Sequence, residues 1–506
     1  MGRRVPVRCA FLVIVATGLF LACGGGDAGS GADADVPGAD LPVADAPVDG
    51  PGPSDTPRET VAGSCLPSNG SPGAATATPG TAVVHATSTG TAQSLFFDPG
   101  SPMPDRPAGL LRRGPCGTVG LLFRGRSPQD ATRCWMYADV TGAAGTPEVV
   151  DPSLAGTGSD TVLFFDGDCA PMAVLPSSSD GLIEYLRGTD GTWARRTTGS
   201  FQAVLGAMPT SVSLAGAHVD AGGRPNVVLL ATAGGAPAGL HGVRDTAPGS
   251  AWTFARFDLP QAKEFQAFRV DGGGTAHALF TRTEYPCDPC DMDLYYGRLP
   301  PGGAWAVETV QDSKWGDPND EYADDPWMEI DTRGEPIVAA TYLVRVITGS
   351  LVSTQLRVYS RTDGAWCHET VATASDGYAG SDGTAYTGAE PMLALDGQDR
   401  PHVVFADTAQ WHDSNSYANA VQGQARHAVR TGDAWSVATL FRQDGQTVAA
   451  RPLHGFGALQ VAVSPDGAAV HVAGVDREWD TDSIYNPAAV PITYRVTVAP
   501  AAVALP

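Results

Sequence analysis

The chain has 506 residues, of which 61 are Gly, 40 are Pro and only 17% are charged, so it is long enough for a large core and is cut by turns at short intervals. Its formal net charge of −23 and its near lack of lysine, with Lys263 and Lys314 the only two, exclude a nucleic-acid partner, which needs clustered cations to neutralise phosphates.

The first element is an export signal, residues 1–22. Arg3, Arg4 and Arg8 precede the apolar run CAFLVIVATGLFLA, Cys9 to Ala22, which is short for a membrane-spanning helix. The site FLACG resembles a bacterial lipobox, with Phe20 where Leu is usual, and this implies lipidation of Cys23 as the new N-terminus. Residues 23–62 then read as a tether, because a run of Gly, Ala, Pro and Asp with almost no large apolar side chain cannot offset the entropy of ordering. Together these segments resemble the anchors of myxobacteria-like surface lipoproteins. The resemblance implies a lipid-anchored protein of the cell envelope, at the outer membrane of a Gram-negative bacterium, touching the membrane through its anchor alone.

Residues 63–506 carry a repeat. Arg, a tight turn and Trp recur as RGTDGTW from Arg187, RDTAPGSAW from Arg244, RLPPGGAW from Arg298, RTDGAW from Arg361 and RTGDAW from Arg430, each between alternating apolar segments. A second turn phrase recurs between and after these units: DAGGRPNVVLL from Asp220, DGGGTAHALF from Asp271, DTRGEPIVAA from Asp331, DGQDRPHVVF from Asp396 and the looser SPDGAAVHVA from Ser464. Two hairpins per unit at a period of about sixty residues predict an all-β fold, a β-propeller of four-stranded antiparallel blades. Seven blades fit best, with six or eight open. TAVVHATS from Thr81 would supply the strand that the last unit lacks, and a monomer is expected.

The turn phrases resemble bacterial neuraminidase-like repeats, whose Asp-box sets Asp, Gly and an aromatic in a hairpin. Asp190, Gly191 and Trp193, like Asp363, Gly364 and Trp366, are spaced more tightly than that box. The resemblance covers about residues 116–498 and implies a propeller, not a sialidase. The repeated arginines precede outer turns and are expected to pair neighbouring blades. His277, His402 and His471 recur at one strand position and read as repeat consensus.

Both recurring turns fall on one face of the ring, so the variable segments EYPCDPCDMD, DSKWGDPNDEYADDPW, DGYAGSDGTAYTGAE, DTAQWHDSNSYAN and DREWDTDSIYNP are expected as long loops on the other, where binding residues commonly sit. Trp315, Tyr322, Tyr378, Trp411, His412 and Trp479 are the candidate contacts for a glycan or protein ligand. No cofactor is required by any motif, and calcium is the one candidate, at Asp317, Asp320 and Asp324. Asp325 and Glu390, each just before a Pro, are expected at the start of inner strands near the axis, where they either cap backbone or act as the acid and base of a glycoside hydrolase or polysaccharide lyase. No GxSxG elbow, HExxH helix or phosphate-cradling glycine loop is present, so a binder is favoured over an enzyme. Of the seven cysteines beyond Cys23, Cys287 and Cys290 read as a loop-closing disulfide, and Cys367 as a buried thiol outside any pair.

Overall fold

The computed structural model describes residues 65–66, 73–90, 110–126, 133–142, 146–151, 161–282, 293–313, 319–346, 351–373, 383–412, 419–442, 453–479 and 492–506, apart from 221, 248, 261, 263 and 363. The chain divides into residues 1–52, outside that set, and a unit from 53 to 506 that holds every described strand. Among the described residues no helix is long and apolar enough to cross a membrane.

Two short strands, β1 (Thr76–Pro79) and β2 (Val83–Gly90), precede the repeats. Six sheets of four consecutive antiparallel strands follow. Blade 1 holds β3 (Leu111–Arg113), β4 (Val119–Arg126), β5 (Arg133–Asp139) and β6 (Glu148–Asp151). Blade 2 holds β7 (Val162–Phe165), β8 (Pro171–Ser177), β9 (Gly181–Arg187) and β10 (Trp193–Thr197). After a short helix, α1 (Gln202–Leu205), come β11 (Pro209–Val219), β12 (Pro225–Ala233), β13 (Ala236–Arg244) and β14 (Trp252–Phe257) of blade 3. Blade 4 holds β15 (Glu264–Val270), β16 (Ala276–Arg282), β17 (Asp293–Leu299) and β18 (Ala306–Gln311). Blade 5 holds β19 (Asn319–Ile330), β20 (Pro336–Val346), β21 (Leu351–Thr362) and β22 (Ala365–Thr373), and blade 6 holds β23 (Gly383–Leu395), β24 (Pro401–His412), β25 (Asn419–Thr431) and β26 (Ala434–Arg442).

The seventh blade has only three strands of its own, β27 (Leu453–Val463), β28 (Ala469–Trp479) and β29 (Ile492–Ala504). Its fourth position is filled from the N-terminus: β1 pairs Thr76 with Ala504, and β2 pairs Val83 with Val498, both along the outer edge of β29. This closure removes the open edge that a three-stranded blade would leave. The expected seven blades and the closing strand from Thr81 are thus both present.

The second strand of each blade explains why its sequence is a near-continuous apolar run rather than an alternating one. Neighbouring blades cover both of its faces, and Val227–Leu229, Ala278–Phe280, Val338–Ala340 and Val403–Phe405 are all buried. The first strands lie side by side around the axis.

The turns joining first to second strands in blades 2 to 6 share one construction. An Asp carboxylate accepts the backbone N–H groups two and four residues on, as Asp271 does from Gly273 and Thr275, and Asp396 from Gln398 and Arg400. The residue three after that Asp takes a positive φ: Gly274 at 82°, Gly334 at 83°, but Asp399 at 58° in blade 6 and Cys169 at 65° in blade 2. Adjacent turns also bond to each other, as when Gly397 N donates to Pro465 O at 2.8 Å, making this face a continuous rim.

Candidate functional site

The five Arg-turn-Trp units lie on that rim, and their polar groups serve the joints between blades. In blade 6, Arg430 Nε and Trp435 Nε1 donate to Glu369 Oε2 of blade 5 at 2.9 and 2.7 Å. Arg361 and Trp366 grip Glu308 of blade 4 at 2.8 and 3.1 Å, and Arg187 and Trp193 grip Glu148 of blade 1 at 2.6 and 3.4 Å. Blade 3 repeats the motif with Glu184, which comes from the third strand of blade 2. In blade 4, Trp305 Nε1 instead donates to the Asp258 carbonyl at 2.6 Å. A planar guanidinium and an indole N–H converging on one carboxylate lock adjacent blades at a fixed angle. The inter-blade role expected of the arginines holds for Arg187, Arg244, Arg361 and Arg430.

The repeated histidines are likewise internal. His277 Nδ1 lies 2.6 Å from Tyr296 Oη with Nε2 3.3 Å from Asp271, and His402 stacks on His427 with 3.0 Å between ring nitrogens.

At the axis, the first strands bring together Arg112, His218, Arg269, Trp327 and Glu329. Arg269 makes a two-pronged pair with Glu329 at 2.7 and 3.1 Å and lies over the Trp327 ring. Arg112 donates to the Ala217 carbonyl at 2.8 Å and lies over the Phe164 ring, and burial followed by the Arg269 charge pushes its pKa down to about 10. Burial, with Arg269 second, also pushes His218 down to about 3, so its ring is neutral there while Nε2 meets the Val270 carbonyl at 2.7 Å. This knot ties blades 1, 3, 4 and 5 across the axis.

The opposite face differs from expectation. Its variable segments were expected as loops, yet much of their length is strand: the strands of blades 5 to 7 run 9 to 13 residues, where those of blades 1 and 2 run 3 to 8. Segments such as NDEYADD and GTAYTGAE look like loop because they are rich in Asp, Gly and small residues, but backbone pairing with an adjacent strand carries them into the sheet.

These extensions relocate the candidate residues. Asp325 and Glu390 sit not at strand starts but within β19 and β23, at bulges where the register shifts between Asp324 and Trp327 and between Ala389 and Met392. Asp325 adopts φ 52°, a left-handed conformation uncommon outside Gly, Asn, Asp and His. Tyr322 is buried at 6% exposure, so it packs in the blade rather than offering a platform. Trp411 and His412 end β24, opposite Ala420 and Asn419, and Trp479 ends β28 opposite Leu453, all at the long-strand face. Trp315, Tyr378, Asp317, Cys23, Cys287 and Cys290 lie outside the described residues.

The same strand separates two of the three residues of the calcium reading, and the third, Asp317, lies outside the described residues. Asp320 and Asp324 are four residues apart on β19, which separates them by about 13 Å along an extended chain, too far to share one ion. No group of three or more His, Cys, Asp or Glu suited to a metal occurs among the described residues.

Two side-chain sets at this face escaped the sequence reading. In blade 5, Arg357 lies 3.3 Å above the Tyr342 ring and donates to Gln355 at 2.9 Å, while Tyr342 Oη donates to Glu321 at 2.5 Å. In blade 6, Asp407 Oδ2 accepts from Arg426 Nη1 at 2.9 Å and from Gln424 Nε2 at 3.1 Å. Asp407 Oδ1 and Arg426 Nε are both buried and have no hydrogen-bond partner among the described residues. The signal was in the sequence: the third strands read QLR from Gln355 and QAR from Gln424, the same phrase at the same blade position.

Fold and site together define a seven-bladed β-propeller with a structural turn rim on one face and an acidic, aromatic and arginine-bearing face on the other. No protein-family model matches the chain, and no curated protein matches it. Among solved structures it is similar to a mutant of AofleA from Arthrobotrys oligospora, at 12% identity over 70% of this chain and 89% of that one, with a TM-score of 0.36. It is similar to an ulvan lyase described as a new family of polysaccharide lyase, at 14% identity over 79% and 83% of the chains, with a TM-score of 0.32. It is also similar to the Aleuria aurantia lectin in complex with a fucosyl-GlcNAc disaccharide, at 9% identity over 67% and 94% of the chains, with a TM-score of 0.31.

Proposed function

We propose that the chain is a lipid-anchored, extracytoplasmic propeller that binds a glycan through the long-strand face of blades 5 and 6. The observation that carries this reading is the open valence of the Asp407 and Arg426 pair: a buried carboxylate oxygen and a buried guanidinium N–H, each without a partner among the described residues. Leaving such groups unsatisfied costs about 1–3 kcal/mol each, and a sugar hydroxyl, which donates and accepts at once, would complete both. Trp411 and His412 end the strand that carries Asp407. A protein ligand would use the same groups less fully.

The test is a glycan array probed with the full chain, its Asp407→Asn and Trp411→Ala variants, and thermal melts to verify folding. Saturable binding that is lost in both folded variants supports the reading. An array that is silent with the folded wild type, or binding indifferent to both changes, overturns it.

A second reading rests on Asp325, whose left-handed backbone at a bulge of an inner strand is the kind of strain that gathers at reaction centres. In a glycoside hydrolase or lyase it would work with Glu390, and Asp325→Asn would abolish cleavage of a bound polysaccharide. The anchor is tested separately: Cys23→Ser should move the protein from the detergent phase to the aqueous phase and change nothing on the array.

A further inference from the structure

Residues Cys65 and Leu66 are buried, at 2% and 3% exposure, and wedge into the joint between blades 5 and 6. The Cys65 and Leu66 N–H groups donate to Glu369 Oε1 at 2.9 and 3.2 Å, and the Leu66 carbonyl accepts from Arg430. The Cys65 carbonyl accepts from Ser360 Oγ at 2.8 Å and Thr362 Oγ1 at 2.6 Å. Ser360 is the cross-strand partner of Cys367 in the β21–β22 pair. On the other side, Cys65 Sγ donates to the carbonyl of His368, the residue after Cys367, at 3.4 Å. Cys65 is therefore held from both flanks of Cys367, itself buried at 7% exposure, and the two thiols share a hydrogen bond. A first disulfide, Cys116 to Cys169, already joins the inner turns of blades 1 and 2, which marks a chain that matures where disulfides form.

We propose that Cys65 and Cys367 form a second disulfide, which staples the segment leading into the ring to the outer strand of blade 5. The two thiols together give up two protons and two electrons to an oxidised thiol–disulfide exchange partner, through a mixed disulfide, and the partner leaves as the dithiol. Exchange takes place during folding, before the segment closes over the blade. The bond has a mechanical consequence. β1 and β2 close the ring and lie just downstream of Cys65, so a pull arriving along residues 1–62 would otherwise strip the closing strands from β29. The staple diverts that load into blade 5. It also revises the expectation that Cys367 stands outside any pair.

The full chain is reduced in denaturant, refolded in a buffer of reduced and oxidised glutathione, trapped with N-ethylmaleimide in denaturant, digested without reductant and mapped by mass spectrometry. The expected result is a linked peptide pair joining Cys65 to Cys367 beside the Cys116–Cys169 pair. Cys367→Ser should then leave Cys65 carrying maleimide with Cys116–Cys169 intact, and Cys134→Ser should leave both pairs unchanged. Maleimide on both Cys65 and Cys367 while Cys116–Cys169 is linked, or Cys65 linked to any other cysteine, overturns the proposal.

Discussion

Glu369→Ala should be the most damaging single change on the turn rim. Arg430 is 1% exposed and Glu369 14%, so the substitution strands a buried guanidinium. What remains to Arg430 is the Gly432 carbonyl at 2.7 Å, the Leu66 carbonyl at 3.2 Å, and Asp433 at 3.8 Å, whose 70% exposure makes it a weak substitute. Breaking a buried pair from one side costs about 3–5 kcal/mol. The Trp435 indole and the Cys65 and Leu66 amides lose their acceptor as well, so about 5 kcal/mol is a fair sum once shared losses are not counted twice. With an unfolding entropy of about 2.1 cal/mol/K per residue over roughly 340 described residues, that is a fall in Tm of about 7 °C. Glu369→Gln, which keeps an acceptor but not the charge, should fall about half as far. Asp180→Ala, which removes an ion pair to Arg195 with side chains 45% and 48% exposed, is the control and should move Tm by no more than about 1 °C. Calorimetry of the four proteins decides it. Burial opposes ionisation of Glu369, but the hydrogen bond and charge of Arg430 more than offset this and hold its pKa below the usual carboxylate range. Its contribution is therefore complete above the unfolded carboxylate pKa and fades as pH falls below that value. A Glu369→Ala melt that coincides with the control at pH 7 would refute the view that these carboxylates lock the blades.

Acid should destabilise the ring well before its carboxylates titrate. Burial lowers the pKa of His402 and, with His402 as a second cause, of His427. The unfolded chain therefore takes up protons near pH 6.5 that the folded chain refuses, and stability present above that pH is lost as pH falls. Tm should drop between pH 7 and 5, and His427→Gln should remove up to about 1.4 kcal/mol per pH unit of that slope; identical slopes for the two proteins would count against it. Gly216→Ala tests the crowding at the axis. A Cβ there would run into the backbone carbonyl of Phe268 on the first strand of the next blade, which cannot swing away, and a loss of about 1–3 kcal/mol is expected in denaturant unfolding.

The extent to which this molecule was legible in advance follows from the range of the forces involved. Turn chemistry is local: an Asp that caps N–H groups two and four residues on, and a glycine three positions after it, are fixed by the chain within a few residues. Repetition of that chemistry in the phrases from Asp220, Asp271, Asp331, Asp396 and Ser464 announced the blades, the rim and the joint-forming role of the arginines. Even there, the Asp166 turn of blade 2 was not among the phrases read as repeats, because Cys169 stands at its left-handed position and Cys is not a residue that position ordinarily selects. The closure from Thr81 was readable because the last unit lacked a strand. The opposite face was not readable. NDEYADD and GTAYTGAE have the composition of loops, and only a paired neighbour makes them strands, which buries Tyr322, places Asp325 in a bulge and sets Asp320 apart from Asp324. The carboxylates that Arg187, Arg244, Arg361 and Arg430 meet and the approach of Cys65 to Cys367 across five blades join groups distant in the chain, while Arg426 meets Asp407 across a single hairpin of blade 6. Sequence alone determined the repeating local geometry, because backbone conformation and near-neighbour hydrogen bonds set it. Tertiary structure alone decided which side chains meet, because closing seven blades into a ring is what brings them within contact distance.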